Sequence, residues 1–114
     1  MDERLQSALE FSNYSLTIAN HKKNIKNRMN QMLLVHHNNG VFCADPTTIN
    51  FVSHISMNQQ TAVFLDTKEN PIRVSDLTEF HDKLTNAYDD AMREYEAEFN
   101  KIKRIRKIDK LMEK

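Results

Sequence analysis

The sequence predicts an α+β protein that is mainly α: an antiparallel hairpin of two long helices, joined by a small α/β head of one short strand, one short helix and a β-hairpin. Three observations carry that reading. Residues 2–37 and 75–113 contain no Gly or Pro and repeat apolar residues at helical spacing. Both prolines and the single glycine of the 114 residues fall between them, within 38–74. That middle stretch also holds short β-type runs bounded by turn formers, which mark strands, whereas a spacing near three and a half residues marks a packed helix. A chain this short is expected to be one domain over 1–114, and no internal repeat, low-complexity tract or Pro/Gly/Ser-rich linker divides it.

In the first helix, 2–37, Phe11, Ile18, Ile25 and Met32 recur every seven positions. Its end is placed at Asn38-Asn39-Gly40, residues that tolerate a left-handed C-cap, with His36 and His37 in the last turn at the negative dipole end. Val41-Phe42-Cys43-Ala44 reads as a short strand. Asp45-Pro46 then reads as an N-cap with proline in the first helical position, opening a short helix over 46–57. Alternation of Ile49, Phe51, Ser53 and Ile55 also fits a strand, and the Asp-Pro start favours the helix.

Ala62-Val63-Phe64-Leu65 and Pro71-Ile72-Arg73-Val74 flank Asp66-Thr67-Lys68-Glu69-Asn70 as a hairpin, with proline opening the second strand, where its missing N–H is tolerated. The second long helix, 75–113, is expected to start with Ser75 as N-cap and Asp76 and Glu79 in its first turn. From Leu77 to Met112, steps of three and four residues give a seam that is apolar at eight of eleven positions, His81, Glu98 and Asp109 being the exceptions.

Charge placement sets the direction of the pair. Residues 76–98 hold eight acids against Lys83 and Arg93, a net of −6, and residues 101–114 hold seven bases against two acids, a net of +5. The first helix runs the other way, from Asp2, Glu3 and Glu10 to Lys22, Lys23, Lys26 and Arg28. An antiparallel pairing matches opposite charges and would set Lys22-Lys23 near Asp89-Asp90, whereas a parallel one would set like charges together. Each exposed pair contributes under about 1 kcal/mol, so charge selects orientation more than it stabilises.

Leu5, Leu9 and Leu16 fall on a face of the first helix roughly opposite the row of Phe11, Ile18 and Ile25, at about 100° per residue. A lone two-helix hairpin leaves one of those stripes in water, which is the pattern of an interface. Phe80, Phe99 and Ile108 widen the apolar face of the second helix in the same sense. Leu5, Leu9, Leu16, Phe80, Phe99 and Ile108 are therefore the expected protein interface, toward a second copy of the chain or another protein.

Composition excludes several chemistries. One glycine cannot build a dinucleotide loop, a phosphate loop or a nucleophile elbow. One cysteine allows no internal disulfide and no Cys-x-x-Cys zinc pair, which points to a reducing compartment. The start, Met1-Asp2-Glu3-Arg4, is acidic where a secretory signal is basic and then apolar, and apolar runs such as Met32 to Val35 reach four residues against roughly 20 for a membrane span. A cytoplasmic protein with no membrane partner is expected.

His36, His37, Cys43 and Asp45 crowd metal-ligand residue types together, but adjacent histidines on a helix diverge by about 100°, so cap-side histidines are the better reading and no metal is expected. Cys43 beside Phe42 and Ala44 reads as a small core residue rather than a nucleophile. Asp89-Asp90 and Glu94, Glu96 and Glu98 read as a solvated, pairing face, and His21, His54 and His81 have no recognisable catalytic partner. No catalytic residue, cofactor or metal site is expected, and the chain is expected not to be an enzyme.

The tail interleaves Ile102, Ile105 and Ile108 with Lys101, Lys103, Arg104, Arg106 and Lys107, a basic amphipathic helix of the kind that meets phosphates or an acidic partner. Its excess of +5 exceeds the three acids available near the start of the first helix. The balance of 16 Lys plus Arg against 16 Asp plus Glu over the whole chain nevertheless argues against a dedicated nucleic-acid binder.

The order of long helix, β-containing middle and returning long helix resembles the layout of prefoldin subunits, which are coiled-coil chaperones. The stretches Leu5 to Tyr14, Asn50-Phe51-Val52, Val63-Phe64-Leu65-Asp66 and Pro71-Ile72-Arg73-Val74-Ser75-Asp76-Leu77 resemble small uncharacterised proteins of contractile-tailed phages of marine cyanobacteria. That resemblance implies a viral accessory or assembly role in an infected cytoplasm, and carries no active site. The function expected is a non-enzymatic assembly, scaffold or chaperone-like module that forms homo-oligomers or docks on a partner. The competing expectation is a nucleic-acid-associated accessory factor for replication, recombination or transcription, using the basic end of the second helix.

Overall fold

A computed structural model describes the backbone of residues 3–112, and the side chains of residues 4–10 and 16–104. The fold is α+β and mainly α. Among the described residues the order is α1 (Glu3–Met32), β1 (Leu34–His37), β2 (Gly40–Cys43), α2 (Pro46–Ser56), β3 (Ala62–Leu65), β4 (Pro71–Val74) and α3 (Leu77–Met112). Each strand pair is its own two-stranded antiparallel sheet.

The first helix ends five residues earlier than its sequence suggests. His36 and His37 lie on β1 rather than in a last helical turn, and β1 pairs with β2 from Leu34 opposite Cys43 to His37 opposite Gly40. The reason is the turn chemistry of Asn38 and Asn39, with φ of 49° and 67°. Two successive left-handed residues make a two-residue hairpin turn, whose twist matches that of the strands. A helix C-cap needs only one such residue, so the same Asn-Asn-Gly signal serves both structures. Leu33 closes the change: its N–H donates to the Met29 carbonyl at 3.0 Å, and its carbonyl accepts from the Ala44 N–H at 2.7 Å.

The short helix forms as its Asp-Pro start predicts. Asp45 Oδ1 accepts from the Thr48 N–H at 2.7 Å, and Pro46 occupies a first-turn position where its missing N–H costs nothing. β3 and β4 pair from Ala62 opposite Val74 to Leu65 opposite Pro71. The Asp66 N–H donates to the Asn70 carbonyl, and the Asp66 carbonyl accepts from the Glu69 N–H, both at 3.0 Å, with Glu69 left-handed at φ 63°. In α3 the capping residue is Asp76 rather than Ser75: its Oδ1 accepts from the Glu79 N–H at 3.1 Å, and helical bonding begins with Phe80 N–H to the Asp76 carbonyl.

The chain groups into two compact units, one of residues 29–94 and one of residues 1–28 with 95–114. In the 29–94 unit the core is built on Phe80, which is fully buried. Its ring lies 4.9 Å from Phe42, 4.9 Å from His37 and 5.8 Å from Phe64, centroid to centroid. Val52 of α2, Val74 of β4 and Leu77 and Leu84 of α3 belong to the same core, with Leu33, Val35, Ala44 and Ala91. Gly40 is needed for close approach, since a Cβ there would meet Ile72 Cγ1 at 2.7 Å.

In the other unit Ile18 and Ile25 of α1 pack with Ile102 and the half-buried Tyr95 of α3. Lys22 Nζ stands 5.7 Å from the Phe99 ring centroid in the same unit. The first turns of α3 belong to the core of the 29–94 unit through Leu77, Phe80 and Leu84.

Candidate functional site

The leucine stripe stands in water. Leu5, Leu9 and Leu16 are 54%, 48% and 62% exposed, while Ile18 and Ile25 of the same helix are buried. Arg4, Gln6, Ser7, Ala8 and Glu10 beside them are exposed as well, so the stripe is an apolar row on an otherwise polar helix surface. Phe11 of the opposite row lies outside the described side chains.

The structure separates the remaining interface candidates. Phe80 is corrected: at 0% exposure among Phe42, His37 and Phe64 it is a core residue and offers no surface to a partner. Its displacement from the helix seam reflects a wider apolar face, because the start of α3 packs on two hairpins and α2 rather than on one helix. Phe99 is half-buried, stacked on Tyr95 with centroids 6.1 Å apart and flanked by Lys22 and Lys103, whose Nζ atoms lie 5.7 and 5.4 Å from its ring centroid. Ile108 lies outside the described side chains.

The basic tail is partly occupied within the chain. Lys101 Nζ donates to Glu98 Oε1 at 2.8 Å, and this bond holds the Glu98 carboxyl below the usual carboxylate range against the opposing effect of burial. Lys103 covers Phe99, and Arg104 is exposed. Arg106 and Lys107 lie outside the described side chains.

The histidine and cysteine positions do not converge. Successive residues of a strand face opposite ways, so His36 is exposed and His37 turns onto Phe80. Burial, with Lys83 next in effect and Glu79 opposing, holds the His37 imidazole below its usual pKa. Burial and the Asp45 carboxylate push the Cys43 thiol up, which keeps it protonated and unreactive. Among the described residues no three His, Cys, Asp or Glu side chains gather as a metal site would require.

A surface that sequence reasoning missed lies on the 29–94 unit, between α2 and β3. Phe51, Val63 and Leu65 are 55%, 48% and 66% exposed. They border a cavity of about 440 Å³, floored by Phe42, Val52, Phe64 and Phe80 and edged by Thr47 and Thr48. A second hollow of about 370 Å³ continues past Ile55, Gln59 and Thr61 to Arg73. The signal available was Ala62 to Leu65, four consecutive apolar residues in a sheet of only two strands, where one face and one edge must stay open.

No helix among the described residues is long and apolar enough to cross a membrane. No family model matches the chain, and neither a curated protein nor a solved structure matches it.

Proposed function

We propose that the chain is a non-enzymatic assembly module that binds a second copy of itself through the leucine stripe of α1. The observation that supports this reading is the exposure of Leu5, Leu9 and Leu16 on a helix whose Ile18 and Ile25 are already buried with Ile102 of α3. Three leucines about half exposed on one helix face retain an unsatisfied hydrophobic contribution, at roughly 25 cal/mol per Å² of apolar area removed from water. A scaffold or chaperone-like accessory role follows, and the resemblance to phage proteins supports placing it in viral assembly within an infected cytoplasm.

Replacing Leu9 and Leu16 together by Glu is the direct test. The double variant is expected to lower the assembly state in sedimentation velocity, with an unchanged thermal transition for the 29–94 unit. An unchanged sedimentation coefficient sinks the reading. The basic tail supports polyanion contact less well, because Lys101 and Lys103 already have partners in Glu98 and Phe99.

A further inference from the structure

We propose that the groove between α2 and β3 takes an extended peptide by strand addition, a peptide apolar at alternate positions and acidic at its C-terminal end. The groove is lined by residues of the 29–94 unit alone, and the leucine stripe belongs to the other unit.

The backbone of β3 carries the first part of the argument. The Asp66 N–H to Asn70 carbonyl bond fixes the parity of the ladder. In an antiparallel pair hydrogen-bonded and non-hydrogen-bonded positions alternate, so with Asp66 bonded to Asn70, Phe64 and Ala62 direct their N–H and C=O toward β4. Val63 and Leu65 direct theirs away from it. The same parity turns the Arg73 carbonyl to the outer edge of β4, where it accepts from Asn38 Nδ2 at 2.9 Å, so that edge is engaged. Among the described residues no strand lies on the outer side of β3. Two donors and two acceptors, on Val63 and Leu65, therefore line a free edge that an incoming strand can pair with.

The side chains carry the second part. An added strand places alternate residues on one face, and beside this edge that face meets the cavity of about 440 Å³ over Phe42 and Phe64, walled by Phe51 of α2. Apolar side chains at alternate positions fill it. Arg73 is the one charged side chain bordering either hollow, and no ion pair engages it among the described residues. It stands opposite Val63, toward the N-terminal end of β3. An antiparallel peptide brings its C-terminal end there, which makes a carboxylate the complement of that end of the groove.

The probe is a fluorescein-labelled octapeptide alternating Thr with Val and Leu and ending in two Glu, titrated with the full chain by fluorescence anisotropy. Saturable binding is expected. Exchanging the two Glu for Lys, or N-methylating the alternate amides that face β3, should each weaken it at least about tenfold, the loss of one or two good hydrogen bonds or ion pairs. In the protein, Val63→Pro removes an edge donor that the β3–β4 ladder does not use, and Arg73→Glu inverts the charge; each should weaken binding at least about tenfold as well. The N-methylated peptide keeps the test sound if Val63→Pro unfolds the chain. The Leu9→Glu, Leu16→Glu variant should bind the peptide as the parent does, which separates this surface from the assembly stripe. Absence of saturation, equal binding of the N-methylated peptide, or a Val63→Pro change in mass without peptide binding, the mark of β3 pairing with β3 of a second copy, would each overturn the proposal.

Discussion

Gly40 is a residue whose role is steric rather than conformational. Its φ is not positive, yet its missing Cβ lets β2 approach Ile72 to a distance no other residue permits. Gly40→Ala should destabilise the chain by about 1–3 kcal/mol, the usual cost of overpacking, read as a lower urea midpoint at unchanged slope. His37 acts through its ionisation. Burial disfavours its charged form, so the unfolded chain takes up a proton at higher pH than the folded chain does. Stability present above about pH 6.5 is therefore lost as pH falls through the lowered folded value. Urea midpoints should decline between pH 7 and pH 5, and His37→Phe should flatten that decline; a parallel decline in the variant would contradict the assignment. Asp66 ties the two hairpins together, with Oδ1 accepting from Asn70 and Lys68 N–H at 2.8 and 2.9 Å and Oδ2 from Val41 N–H at 3.3 Å. Those bonds, Asn70's foremost, hold its carboxyl below the usual range although burial opposes them.

At the scale of elements, the β1–β2 hairpin is the instructive case. Asn38 and Asn39 both sit in the left-handed region, where Asn is tolerated and Gly costs least. Asn39→Gly gives the turn its preferred Asn-Gly pair and should stabilise the chain by up to about 1 kcal/mol, measured as a higher thermal midpoint. A lower midpoint would contradict the two-residue turn. Sequence made α2, β3 and β4 legible through their boundaries: Asp45-Pro46, which favoured a helix over the strand that Ile49, Phe51, Ser53 and Ile55 also fit, Pro71 for the second strand, and five turn residues between the strands. It left β1 illegible because Met32 to Val35 is apolar at four successive positions, which fits a helix seam and a strand equally. The α2–β3 groove was hidden for a different reason. Phe51, Val63 and Leu65 look like core residues on their own elements, and among the described residues no third strand covers them.

On the scale of the whole chain, assembly rests on which apolar rows have partners. Sequence placed the two rows of α1 on opposite faces, and the burial of Ile18 and Ile25 assigns one row to α3. The pairing of Ile18 and Ile25 with Ile102 and Tyr95 was not legible, since heptad spacing alone does not say which turn of α3 meets which turn of α1. Self-association through leucines is insensitive to ionic strength, whereas an assembly held by the acidic and basic stretches of the two helices weakens with salt. Solution mass by light scattering after size exclusion, at low and at high salt, decides whether the leucine stripe pairs copies of the chain. A mass of at least twice the 13.4 kDa of one chain at both salts is the predicted result, and a single-chain mass at both would contradict it.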